Sequence, residues 1–244
     1  LVQRNHTTKQ KAGQKPADRK EFPMKPKRLA RYIDHTLLSQ SATRKDFTAL
    51  CKEAKAINCA SVCVPPSMVR HVAEQLKGSP VKVCTVIGFP LGFQTGKVKL
   101  EEALKAKEDG ADELDMVINI SMVKDKRFNE ILAEIANVKV NTDYTPLKVI
   151  IETGLLTDKE KAKMCELVGQ SGADYIKTST GLFGGVTVGD MHIIKNNIPP
   201  HLKIKASGGI RTIEDAEQYI KLGASRIGTS SVGKELYKTR NDGK

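Results

Sequence analysis

Apolar residues along this chain fall into two alternating rhythms. Short runs rich in β-branched residues lie at 32–36 (YIDHT), 61–64 (SVCV), 82–88 (KVCTVIG), 113–119 (ELDMVIN), 147–152 (LKVIIE), 175–179 (YIKTS), 203–207 (KIKAS) and 226–229 (RIGT). Each predicts a strand. Between them lie stretches such as TRKDFTALCKEAKAIN, KVKLEEALKAKEDG and TIEDAEQYIKLG, whose apolar residues sit three and four apart and predict helices. Thr43 with Asp46, and Thr157 with Glu160, have capping-box spacing, and Gly110, Gly172 and Gly223 stand where a helix must turn left-handed to stop.

The phrase following those glycines recurs as GADELDMV, GADYIKTS and GASRIGTS, each running from a helix stop into a strand. Strand-helix alternation with short connections implies parallel strands and right-handed crossovers, and eight such units count out a single (β/α)₈ (TIM) barrel from residue 29 onward. An open doubly wound sheet is the competing topology. It ordinarily carries an early glycine-rich phosphate loop, and neither a GxGxxG nor a Walker sequence is present.

Barrel geometry turns strand alternation into a statement about chemistry. In ELDMVIN, Leu114, Met116 and Ile118 share one face, opposite Asp115, Val117 and Asn119; in YIKTS Ile176 opposes Lys177, and in KIKAS Ile204 and Ala206 oppose Lys205. If the apolar faces meet the helices, then Asp115, Lys177 and Lys205 point into the lumen. The two lysines belong to adjacent strands. At roughly 5 Å and an effective dielectric near 20 their repulsion is about 3 kcal/mol, enough to lower one amine's pKa by about two units. Such an amine attacks carbonyls and forms Schiff bases. The competing reading is that the lysines neutralise buried acids such as Asp115 and Glu152. At the carboxyl ends of the seventh and eighth strands, SGG (207–209) and GTSS (228–231) place bare backbone amides where barrels of this kind commonly hold a phosphate.

The 244 residues carry a net charge of +12, but unevenly. Residues 1–28 hold nine Lys/Arg against Asp18 and Glu21, a net of +7, leaving +5 for the rest. This segment lacks apolar periodicity and predicts a basic, disordered extension; whether it is a native leader, a targeting arm or an expression remnant stays open. A nucleic-acid-binding module would rest on it alone, so no nucleic-acid partner is expected. No apolar run is long enough to span a bilayer. The five cysteines, odd in number and without a CxxC pair, fit reduced thiols and a cytoplasmic location. The five histidines show no HxH or HExxH spacing, so no metal is expected.

These segments together resemble the deoxyribose-phosphate aldolase family. YIDHTLL, CASVCVPP, VIGFPLG, GADELDMVIN, LKVIIETG, GADYIKTSTG, KIKASGGIRT and SRIGTSS occur in the family's order between about residues 29 and 234. The resemblance implies a metal- and cofactor-independent class I lyase, cleaving 2-deoxy-D-ribose 5-phosphate to D-glyceraldehyde 3-phosphate and acetaldehyde in deoxyribonucleoside catabolism. It implies Lys177 as the Schiff-base residue, Lys205 as its pKa-perturbing and proton-relaying neighbour and Asp115 as proton donor and acceptor. It places phosphate contacts at Gly208, Gly209, Gly228, Ser230 and Ser231, and substrate contacts at Asp34, Thr36 and Thr180. Cys63 falls near the pocket, where it also reads as a small core residue. Two positions depart from the pattern: Leu182 stands where some members have a lysine beside the phosphate, and no tyrosine follows Tyr237 to serve as a terminal site residue. Another Schiff-base barrel aldolase or transaldolase shares the lysine chemistry, and a homodimer is one assembly open to the chain.

Overall fold

The computed structural model describes residues 24–242. Eight parallel strands close into a barrel in sequence order: β1 (Ile33–Thr36), β2 (Ser61–Val64), β3 (Lys82–Ile87), β4 (Glu113–Val117), β5 (Leu147–Ile150), β6 (Tyr175–Lys177), β7 (Lys203–Ser207) and β8 (Arg226–Thr229). The seam pairs Asp34 with Gly228 and His35 with Thr229. Every strand was foreseen. Several stop short of the apolar run that announced them, because the last residues leave the ladder to build loops. Asn119 caps a short helix by accepting from the Ser121 backbone, and Glu152 adopts φ +52° to start the β5 loop.

Among the described residues ten α-helices surround the barrel: α1 (Pro26–Ala30), α2 (Arg44–Ile57), α3 (Val69–Leu76), α4 (Gly96–Glu108), α5 (Ile120–Lys124), α6 (Phe128–Asn141), α7 (Asp158–Gln170), α8 (Val188–Asn197), α9 (Ile213–Lys221) and α10 (Val232–Asp242). Both foreseen capping boxes form, with the Thr43 amide donating to Asp46 at 2.7 Å and that of Thr157 to Glu160 at 2.7 Å. Thr187 with Asp190 and Thr212 with Asp215 make two more. Gly110, Gly172 and Gly223 all have left-handed φ. Of the basic extension, residues 1–23 lie outside the described residues, and α1 straddles its boundary at residue 28, with Leu29 and Ala30 buried in the core.

The GAD repeat has a structural purpose. Asp112 donates its amide to Val83 O at 2.7 Å and accepts from the Val83 amide at 2.8 Å; Asp174 does the same to Leu147, at 3.0 and 2.8 Å. The aspartate side chain accepts from an amide at the start of the neighbouring strand, Val83 as the second residue of β3 and Leu147 as the first of β5. Apolar packing divides in two. A large layer between sheet and helices includes Leu114, Met116, Ile118, Ile176, Ile204 and Ala206, the face assigned to the helices. A small luminal group holds Cys63, Cys84 and Val86, with Leu38 and Phe89 packed against it.

Candidate active site

Because side chains alternate along a strand, each strand contributes its other face to the lumen, and there the charged residues meet. Lys177 and Lys205 are register partners on β6 and β7. Both donate to one oxygen of Asp115: Lys177 Nζ lies 2.8 Å and Lys205 Nζ 2.6 Å from Oδ2. The other oxygen, Oδ1, accepts from Lys148 Nζ at 2.9 Å and from the Cys84 thiol at 3.1 Å. Lys148 also pairs with Glu113 at 2.7 Å. Arg226 reaches both Glu113, at 2.8 Å, and Asp34, at 2.5 Å. Lys205 sits 2.5 Å from the remaining oxygen of Asp34, and the Ser61 hydroxyl donates to Asp34 Oδ1 at 2.6 Å. All these carboxylates and amines are buried.

Four cationic heads thus face three carboxylates. For Asp115, Asp34, Lys205 and Lys148, burial by itself favours the neutral form, but the surrounding charges override it. Lys148, Lys177 and Lys205 hold Asp115 well below the ordinary carboxylate value, and Lys205 and Arg226 do the same for Asp34. Burial would lower Lys205, yet Asp115 and Asp34 raise it above an ordinary lysine. Lys148 is raised too, against its burial, by Asp115, Cys84 and Glu113. Repulsion between Lys177 and Lys205 therefore does not act alone: a shared carboxylate oxygen stands between them. The excess positive charge of the cluster vanishes when one amine loses its proton.

Glu152 does not neutralise either lysine, as the competing reading had it. It accepts from the Ser179 hydroxyl at 2.8 Å and the Thr180 amide at 3.1 Å, clamping the loop after β6. Thr180 in turn accepts from the Leu182 amide at 3.2 Å. Thr36, at the end of β1, donates to Asp34 O at 2.8 Å. Asp34 spends its carboxylate on Ser61, Arg226 and Lys205, placing it under the amines as part of their support.

The loops assigned to phosphate converge at the carboxyl ends of the strands. Gly208 and Gly209 have φ of +89° and +76°, a conformation costly to any residue with a side chain. A Cβ on Gly185 would come within 2.6 Å of Gly208 O, so the loops after β6 and β7 touch backbone to backbone. Thr229 Oγ1 donates to Ile210 O at 2.8 Å and accepts from the Ser231 amide at 3.1 Å, tying the β8 loop to the β7 loop. Gly228 lies lower, in the strand; a Cβ there would meet Lys205 Cε at 3.2 Å, so its bareness makes room for the lysine stem. Ser230 and Ser231 line an open cleft of about 400 Å³ with Arg211, Lys234 and Lys238, against a single carboxylate, Glu235. Leu182 is exposed, and these three basic side chains supply cationic charge beside the loops.

Sequence reading missed Lys148, Glu113 and Arg226. The signal was available, since Lys148 opposes Leu147 and Val149, Glu113 has the parity of Asp115, and Arg226 that of Gly228. Arg211, Lys234 and Lys238 had no such signal, because only the fold brings the β7 loop to α10. Two luminal groups, Cys63 with Cys84 and Asp115, and Asp34 with Cys84 and Glu113, have ligand atoms within 4.8 Å of one another, near enough to surround a metal ion. Their carboxylates already accept from ammonium or guanidinium groups, whose field opposes a further cation.

A parallel (β/α)₈ barrel with paired lysines and a carboxylate at the carboxyl half of its lumen has the architecture of an aldolase that works through an amine. The chain belongs to the DeoC/LacD aldolase family, whose model it matches over residues 28–238. It is 50% identical over 211 residues to the deoxyribose-phosphate aldolase of Clostridioides difficile, covering 86% of this chain and 96% of that one. To the deoxyribose-phosphate aldolase of Lysinibacillus sphaericus it is 52% identical over 205 residues, covering 83% and 92%. Among solved structures, the tetrameric deoxyribose phosphate aldolase of Aeropyrum pernix superposes with a TM-score of 0.81 at 34% identity, covering 89% of this chain and 92% of that one.

Proposed function

We propose that the protein is a class I deoxyribose-phosphate aldolase, cleaving 2-deoxy-D-ribose 5-phosphate to D-glyceraldehyde 3-phosphate and acetaldehyde through a Schiff base on Lys177. The observation that carries this reading is the shared oxygen of Asp115, hydrogen-bonded to Lys177 and Lys205 at once. It gives the nucleophile a proton acceptor and connects it to an ammonium that stays charged. Family membership and the curated relatives support the same substrate.

The neutral amine of Lys177 attacks C1 of the open-chain sugar. The carbinolamine hydroxyl leaves as water, taking a proton through Lys205 and Asp115, and the iminium forms. Loss of the C3 hydroxyl proton then lets the C2–C3 electrons flow into the iminium, releasing glyceraldehyde 3-phosphate and leaving an enamine. Protonation at C2 and hydrolysis free acetaldehyde and restore Lys177. Lys205, kept cationic by Asp115 and Asp34, is the charged partner across the oxygen it shares with Lys177. The phosphate rests against the amides of Gly208 and Gly209 and the hydroxyls of Ser230 and Ser231, with Arg211, Lys234 and Lys238 adding attraction. Thr36 and Thr180 face the sugar, and Gly228 leaves Lys205 its space.

The globular unit begins near residue 29, after the basic segment. Its reduced, buried cysteines fit a cytoplasmic setting, and none of the described helices is long and apolar enough to cross a membrane. Assembly into a homo-oligomer, a homodimer at the simplest, accords with the Aeropyrum pernix relative. The test of the chemistry is reductive trapping. Protein incubated with deoxyribose 5-phosphate and borohydride should carry a stable adduct on Lys177; modification of Lys205 instead would reverse their roles.

A further inference from the structure

Two of the five cysteines stand apart from the rest. Cys51, Cys59 and Cys165 lie in the packed layer between sheet and helices, whereas Cys63 and Cys84 face the lumen. They are register partners on the neighbouring strands β2 and β3, so their Cα atoms lie about one strand spacing, ~4.8 Å, apart. That is inside the range a disulfide spans. Both side chains take the same face, and their sulfurs lie within 4.8 Å of each other and of an Asp115 oxygen. Val86 shares their cluster, and Leu38 and Phe89, both partly buried, pack against it from the loops after β1 and β3.

We propose that Cys63 and Cys84 form a dithiol that a hydroperoxide converts to a disulfide, reversibly displacing Asp115 from the lysines. The Cys84 thiol beside Cys63 pulls Cys63 below the ordinary thiol value, which makes its sulfur the attacking one. Its thiolate displaces hydroxide from hydrogen peroxide: the O–O bond breaks, the sulfur loses two electrons and becomes a sulfenic acid, and the hydroxide leaves as water. Cys84, whose thiol lies 3.1 Å from Asp115 Oδ1, attacks Cys63 Sγ as its proton passes to the leaving hydroxyl. The S–O bond breaks, and the departing hydroxyl takes that proton as a second water. One peroxide and two thiols yield one disulfide and two waters. The product removes a donor from Asp115 and moves the Cys84 sulfur away from Lys148 Nζ, now 3.3 Å from it. Asp115 shifts relative to both lysines, and a displacement on the order of 1 Å costs about 100-fold in turnover.

The inference rests on the aldolase reading only for its activity readout; the covalent change is read independently. Full-length protein exposed to hydrogen peroxide, alkylated and digested should give a Cys63–Cys84 cross-linked peptide and an intact mass lower by about 2 Da. Activity should fall at least about tenfold and return with dithiothreitol. In Cys84→Ala, compared with its own untreated baseline, Cys63 should gain oxygen, and dithiothreitol should restore nothing beyond the sulfenic stage. Cys84→Ser serves the same purpose should the alanine variant fail to fold. Wild-type protein that yields only sulfinic or sulfonic Cys63, or disulfides involving Cys51, Cys59 or Cys165, overturns the proposal. So does a Cys63–Cys84 bond that leaves turnover of an otherwise active enzyme unchanged.

Discussion

Lys177 is one of three luminal lysines, and what separates it is its partners. Lys205 and Lys148 each sit among two carboxylates, whereas among the described residues Lys177 pairs with Asp115 Oδ2 alone. A nucleophile must leave its acid to attack, and a single contact is the easiest to leave. Replacing Lys177 with Arg or Ala should lower kcat by on the order of 10³-fold or more while leaving the fold intact, as steady-state rates beside circular dichroism will show. Lys148 answers to the opposite logic. Its head is wholly buried between Glu113 and Asp115, so Lys148→Met leaves two carboxylates short of a cation. Breaking such a pair costs about 3 kcal/mol, which in a protein of this size lowers Tm by on the order of 10 °C. A Lys148→Met protein as stable as the parent would show that Arg226 and Lys205 balance the cluster without it.

Three segments that begin and end in different parts of the chain make the upper rim of the site. The β6 loop is pinned by Glu152, the β7 loop touches it through Gly185 and Gly208, and the β8 loop joins through Thr229. None would be ordered in this shape without the others. Ser230→Asp adds a charge where a phosphate is to sit, and Gly209→Val demands a side chain at φ +76°. Each should reduce kcat/KM for deoxyribose 5-phosphate by about 100-fold or more, and that for unphosphorylated deoxyribose far less, since the lysines and Asp115 stay in place. Equal losses on both sugars in folded protein would assign these loops to barrel structure and not to phosphate.

The molecule as a whole carries its buried charge as a pH-dependent contribution to stability. Asp115 and Asp34 titrate below the ordinary 3.8 when folded, so their contribution is present above that pH and is lost as pH falls toward their folded values. Lys205 and Lys148 are raised above 10.5, so theirs is present below that pH and is lost only at more alkaline pH. Urea midpoints measured at about pH 7 and 5 should therefore agree, and the midpoint at about pH 3 should drop sharply. A midpoint unchanged at pH 3 would mean the luminal carboxylates are not charged in the native barrel.

The sequence by itself determined the barrel and the identity of its central residues. Alternation of period two with period 3.6 fixes strands and helices, the GAD phrase marks where each unit restarts, and parity sends Asp115, Lys177 and Lys205 to one face without reference to any neighbour. Applied to LKVIIE and RIGT, the same parity would have found Lys148 and Arg226, so their omission was a matter of reading. Other features are invisible to any local pattern. That Asp115 lends one oxygen to two amines depends on the relative height of β4, β6 and β7 around the barrel, which is set by shear and not by composition. That Glu152 clamps a loop and leaves the lysines alone follows from its left-handed backbone, which swings it off the strand. Arg211, Lys234 and Lys238 gather at the rim, and Cys63 meets Cys84, because closure of the sheet brings distant segments side by side. Periodicity records which face a residue takes; only the closed barrel decides which residues that face will meet.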